Sequence, residues 1–161
     1  MAKKAAIAAF LGVLLVINAE ASLISFFVVE TGLPEENGRN RYSEICENAF
    51  MDVFFDAGYV VSNYPIQRLA SRPDNGILEA SGFDLFEARS AGIDFILIAH
   101  LEYLSGSTRG PGDISLYVFK VAQYKIIYER FLNGKNYRTE REANDDFKTV
   151  ARELVRFVTN L

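Results

Sequence analysis

The chain holds one histidine, His100, and one cysteine, Cys46, which excludes every motif built on paired histidines, an internal disulfide and a cysteine-rich metal site. His100 stands two residues before Glu102 in the run Asp94-Phe-Ile-Leu-Ile-Ala-His-Leu-Glu-Tyr-Leu104. An imidazole beside carboxylates suits general-base work, or one ligand position on a divalent metal. Glu30 and Thr31 close a second apolar run, Leu23 to Val29, and Glu30, Thr31, His100 and Glu102 form the candidate ligand-binding set. Against this stands the scarcity of equipment. A hydrolytic metal site takes three or more ligands, no Gly-x-Ser-x-Gly elbow occurs, and Cys46 sits in an apolar stripe without the basic setting that activates a thiol. No catalytic residue and no metal site is assigned, and no cofactor is expected. The plain alternative is a strand whose exposed end carries ordinary polar residues.

The elements that must position these residues are legible from periodicity. Strand side chains alternate in direction. In 94–104 the positions Phe95, Leu97, Ala99, Leu101 and Tyr103 are apolar throughout, whereas Ile96, Ile98, His100 and Glu102 turn polar halfway. This predicts a central strand buried on one face, with the other face uncovered towards its C-terminal end. Leu23 to Val29, continuous and rich in β-branched and aromatic residues, reads as a buried parallel strand. The loop 30–40 carries two glycines but matches no phosphate-binding spacing, and its three glutamates repel phosphate. From Arg41 to Ala57 the residues Tyr42, Ile45, Cys46, Ala49, Phe50, Val53, Phe54 and Ala57 trace a helical stripe that Gly58 ends. Tyr59 to Ser62 reads as a short strand closed by Asn63-Tyr-Pro65. Phe83 to Ala91 reads as a short helix with Ser81 as N-cap.

After 94–104 come a glycine-rich turn over 105–113 and two strands, 114–121 and 124–132, which complete an antiparallel meander ended by Asn133-Gly134. Lys135 to Arg141 reads as a loop. A last helical stripe runs through Phe147, Val150, Ala151, Leu154, Phe157, Val158 and Leu161, with Asn144, Asp145 and Asp146 at its N-terminus. The order is β-α-β-α-β-β-β-α, an α/β class. Right-handed crossovers on either side of strand 23–29 give a three-layer domain with a mixed five-stranded sheet of order 2-1-3-4-5. That arrangement places the candidate set at a switch point, at the carboxyl ends of the strands. The hairpin carries aromatics on both faces. Tyr117, Phe119, Tyr128 and Phe131 are the candidate partner-binding residues, through an open edge strand or aromatic anchoring, with plain core packing as the competing explanation.

Met1-Ala-Lys-Lys precedes an apolar run over 5–17, and Ala19 and Ala21 place small residues where signal peptidase reads. Those 13 apolar residues are fewer than the roughly 20 of a membrane span. The expectation is a signal peptide over 1–21, cleaved after Ala21, and a single domain over 22–161, periplasmic or secreted. Membrane contact is expected only through the uncleaved signal segment. A net charge of −4 argues against a nucleic-acid partner, and export removes the cell's nucleotide cofactor pools.

The run "RSAGIDFILIAHLEY" resembles the "A-x-x-G-A-D-[YF]-[IVL]-[IVL]-x-G" segment of the TolB amino-terminal domain, with similar runs in CsgG and in lipoprotein activators of penicillin-binding proteins. The resemblance takes in "LISFFVVETG", "FFDAGYVV" and "ISLYVFKVAQYKIIYERFLNG". It implies an anticodon-binding-like α/β domain of the cell envelope that binds a protein partner or a second copy rather than catalysing. The sequence departs from that group in carrying His100 where glycine is common, in having no lipobox cysteine, and in lacking a β-propeller within its 161 residues.

Overall fold

Two apolar strands lying side by side form the middle of the molecule: β1 (Leu23–Thr31) and β4 (Phe95–Glu102), parallel and in register from Ile24 opposite Phe95 to Thr31 opposite Glu102. The computed structural model describes residues 21–33, 40–72, 76–80, 82–104 and 109–161. The expected leader therefore falls, but for Ala21, outside the described residues, as does Ser81. No described helix is long and apolar enough to cross a membrane.

Around the central pair the elements run α1 (Arg41–Asp56), β2 (Val60–Asn63), β3 (Gln67–Leu69), α2 (Ile77–Ala80), α3 (Leu85–Ser90), then after β4 the strands β5 (Asp113–Lys120) and β6 (Lys125–Asn133), and α4 (Glu140–Thr159). The sheet order is β2-β1-β4-β5-β6, with β3 also pairing with β1. This is the expected topology with one strand added. Asn63-Tyr-Pro65 does not end the second strand. Tyr64 N–H bonds to the Phe26 carbonyl, and the chain then resumes pairing as β3 with the register slipped by one residue. Proline, having no N–H to give, is tolerated at such an edge irregularity.

One apolar cluster fills the space between the sheet and α1 with α4: Phe26, Leu97, Leu101 and Leu116 meet Phe50, Phe54, Phe147 and Leu154. A smaller one lies on the opposite face, where Phe27, Ile96 and Ile98 meet Ile77, Leu78, Phe83 and Ala88. The three layers follow directly. Helix α1 starts at Asn40, whose side chain accepts from Tyr42 N–H at 2.9 Å. Its expected stripe is buried except at Ala57, which is exposed, and Tyr42, half-buried.

Two helix starts differ from expectation. Helix α3 begins after Asp84, whose carboxylate caps Phe86 and Glu87. Helix α4 begins at Glu140, a turn before the acidic residues expected to open it. Thr139 Oγ1 accepts from Glu142 N–H at 3.1 Å, and the Glu142 carboxylate accepts from Arg138 N–H at 2.9 Å. The Thr-x-x-Glu pattern is a capping signature inside a stretch too polar to read as helix.

Gly32 ends β1 at φ +79°, and a Cβ built on it would lie 1.9 Å from the Tyr103 carbonyl oxygen. Gly32→Ala therefore strains the backbone and drives β1 off β4; a loss of roughly 2 kcal/mol or more is expected. The urea midpoint checks it, and a midpoint within error of wild type would contradict this packing.

Candidate functional site

Strand parity divides the candidate set. In β1, Glu30 shares the face of Phe26 and Val28 against α1, whereas Thr31 shares the face of Phe27 and Val29. In β4, His100 and Glu102 lie on the Thr31 side. The expected single crevice is therefore two polar sites on opposite faces of the sheet. Thr31, His100 and Glu102 come together; Glu30 does not join them.

On the helix α1 face, Glu30 is 1 % exposed and fully engaged. Its Oε2 accepts from Arg68 Nη2 at 2.6 Å and from Arg68 Nε at 3.0 Å, and its Oε1 accepts from Asn40 N–H at 3.1 Å. The carboxylate so ties the end of β1 to β3 and to the residue that caps α1. A buried pair of this kind adds little net stability, but removing either partner strands a charge and costs about 3 kcal/mol or more. Beside it the Tyr103 hydroxyl bonds to Ser43 Oγ at 2.8 Å, and burial pushes the phenol's pKa up.

On the other face the uncovered strand end is not observed. His100 is 1 % exposed, because β4 is flanked there by Thr31 on β1 and by Ser115, its register partner on β5, both buried. Only Glu102 is half-buried. In register His100 stands opposite Val29 on β1 and Ser115 on β5, and Thr31, the next position along the same face of β1, reaches back to it. His100 Nε2 bonds to Thr31 Oγ1 at 2.9 Å, and Nδ1 has no hydrogen-bond partner among the described residues. Burial, and secondarily the charge of Arg72, push the imidazole pKa down to about 4. At neutral pH the ring is uncharged and shut from solvent, so its lone pair meets no substrate in this state. Arg72 stands over the site, donating to the Tyr117 hydroxyl at 3.4 Å. Cys46 is wholly buried and its thiol pKa is raised, chiefly by burial, which keeps it protonated. Among the described residues no cluster of three or more His, Cys, Asp or Glu could hold a metal ion.

The four candidate partner-binding aromatics also separate. Tyr117 and Phe119 belong to the core of the α2/α3 face. Tyr128, half-buried, packs on Phe157 of α4 with ring centroids 4.6 Å apart. Phe131 is 60 % exposed, with the Arg72 guanidinium 5.4 Å from its ring centroid. Arg68 and Arg72 escaped sequence reading because the stretch 66–80, with its turn cluster Ser71-Arg-Pro-Asp-Asn-Gly76, shows no clear period, and β3 lies within it. The sites they serve were visible only as their carboxylate and aromatic partners. A depression of about 220 Å³ between β6 and α4 lies above Cys46, Phe50 and Leu116, bordered by the pairs Arg130–Glu153 and Lys135–Asp146.

No family model matches the chain, and no curated protein does. Among solved structures the chain is similar to TolB from Acinetobacter baumannii, with a TM-score of 0.54 at 14 % identity, over 88 % of this chain and 29 % of that one. It thus spans under a third of that protein's length. PelC from Paraburkholderia phytofirmans, a dodecamer, aligns at a TM-score of 0.49 and 12 % identity, over 81 % of this chain and 86 % of that one. The LpoB C-terminal domain from Escherichia coli aligns at 0.43 and 12 %, over 73 % and 84 %. At these identities the likeness to TolB shows the fold alone, and it is the fold the resemblance implied.

The buried imidazole sets a pH dependence with a definite sign. Its folded pKa of about 4 lies below the ordinary imidazole value of 6.5, so between them the unfolded chain binds the extra proton. The contribution of neutral His100 is complete above pH 6.5 and is lost as pH falls towards 4. Because His100 is the only histidine, the thermal midpoint of wild type should fall between pH 6.5 and 5, and that of His100→Gln should stay flat there. Equal slopes for the two proteins would refute the assignment.

Proposed function

We propose that this protein is an exported, non-catalytic component of the cell envelope that works by binding another protein, with residues 22–161 as the working domain after cleavage behind Ala21. The observation that carries the reading is the contrast between the two kinds of polar and aromatic residue in the sheet. Glu30, Thr31 and His100 are 1–2 % exposed and turned to internal partners, whereas Phe131 and Ile126 on β6 are 60 % and 40 % exposed. Reactive groups are spent inside, and apolar surface is left outside. The signal-peptide pattern at 1–21 and the fold shared with TolB support the envelope as the place of work.

The test is in-cell cross-linking followed by fractionation of the envelope. The expected result is a chain beginning at Ser22, found outside the cytoplasm and linked to a reproducible protein. Retention of the chain in the cytoplasm, or recovery without any linked protein, would overturn the reading.

A second reading rests on the unpartnered Nδ1 of His100: a small hydrolase or ligand-binding protein whose crevice opens beside Thr31 and Glu102. Under this reading His100→Ala changes metal content or activity against ester, phosphate and glycoside substrates. An unchanged profile in both screens would sink it.

A further inference from the structure

Strand β6 forms the far edge of the sheet, and no described residue pairs with its outer side. The direction of its backbone groups can be worked out. Gly134 N–H donates to the Gly112 carbonyl at 2.7 Å, in line with the register that sets Asp113 opposite Asn133. Because backbone polarity alternates along a strand, Leu132, Arg130 and Tyr128 turn their N–H and C=O groups towards β5. Glu129, Phe131 and Asn133 turn theirs outward. These same three residues carry their side chains on the α2/α3 side of the sheet and are exposed there, while Tyr128, Arg130 and Leu132 are half-buried beneath α4. A bulge opposite Val118/Phe119, with Lys125 beyond it, breaks the edge at its start. The regular edge runs over 128–133. It is long enough to pair, and exposes an aromatic ring in its middle.

We propose that this edge pairs with the same edge of a second copy of the chain, antiparallel, about a two-fold axis at Phe131. The proposal deepens the protein-binding reading by naming one partner. The side-chain pattern selects both the partner and the register. Antiparallel pairing sets directly opposed residues on one face. An axis at Phe131 brings the two Phe131 rings together, sets Glu129 against the Asn133 amide of the second copy, and lays the Arg130 stem beside Leu132 of the second copy. An axis at Arg130 opposes two arginines, and an axis at Glu129 opposes two glutamates. Opposed like charges destabilise a sheet pair. Axes at Tyr128, Leu132 and Asn133 avoid such a clash but leave at least one of the three outward-facing residues without a mate among them; the axis at Phe131 avoids it and joins all three of each copy in reciprocal hydrogen bonds. The two sheets become continuous, and the edge, a standing liability while open, is closed.

The experiment uses the chain as its host exports and processes it. Sedimentation equilibrium over a concentration series should give twice the chain mass for wild type. Phe131→Glu, which sets two carboxylates on the axis while changing only an exposed residue, should be monomeric and still unfold cooperatively, with a thermal midpoint that no longer depends on protein concentration. Reciprocally bonded antiparallel pairs hold their Cα atoms about 5.5 Å apart, which suits a disulfide. Phe131→Cys should therefore yield a covalent dimer on mild oxidation, and Cys46, 0 % exposed, does not compete for it. A monomer at every concentration, a dimer that survives Phe131→Glu, or a dimeric Phe131→Cys that forms no disulfide would overturn the proposal. A monomer still linked to a different envelope protein overturns it too, and leaves the protein-binding reading standing.

Discussion

The parallel pairing of β1 with β4 is the constraint on which the remaining structure depends. Both strands are apolar on both faces over most of their length, so neither can lie at an edge or face water. Their in-register alignment from Ile24–Phe95 to Thr31–Glu102 requires a helical layer above and below. It also sends each crossover to a different face: α1 to one, α2 and α3 to the other. The Tyr103 N–H bond to the Thr31 carbonyl extends the pairing by one step, and Gly32 passes over Tyr103 at a separation that only a residue without Cβ permits.

Polar residues at the ends of these strands serve this arrangement. Glu30 draws β3 and the start of α1 onto the end of β1 through Arg68 and Asn40. Thr31 holds His100 across the β1–β4 seam on the opposite face. Each polar group sits in low dielectric, where an unpaired one is costly and a paired one fixes geometry. The unsatisfied Nδ1 of His100 is the exception. Its cost is kept down because the ring stays neutral, which is what the lowered pKa expresses.

At the other side of the sheet the logic changes. Strand β5 is still covered on both faces, but β6 has α4 on one face and solvent on the other. Its alternation of half-buried and exposed residues follows from that. Arg72, reaching from beyond β3 to Tyr117 and Phe131, links the closed crevice to this bare surface.

Much of the architecture was legible in residue order. A 3.6-residue stripe in 41–57, a fully apolar 23–29 and the half-polar 94–104 specify helices and strands because burial has one periodicity per element. Those periods, with the handedness of crossovers, were enough to order the main strands. Strand β3 was not legible, since three residues with one apolar side chain carry no period, and Pro65 read as a stop. The start of α4 was written in its cap and not in its stripe. The sequence by itself determined which residues are polar at the ends of β1 and β4. Only the tertiary structure decided what they face, because one step along a strand turns a side chain through the sheet. Glu30 and Thr31 are neighbours in the chain, and the sheet sets them on opposite sides of the protein.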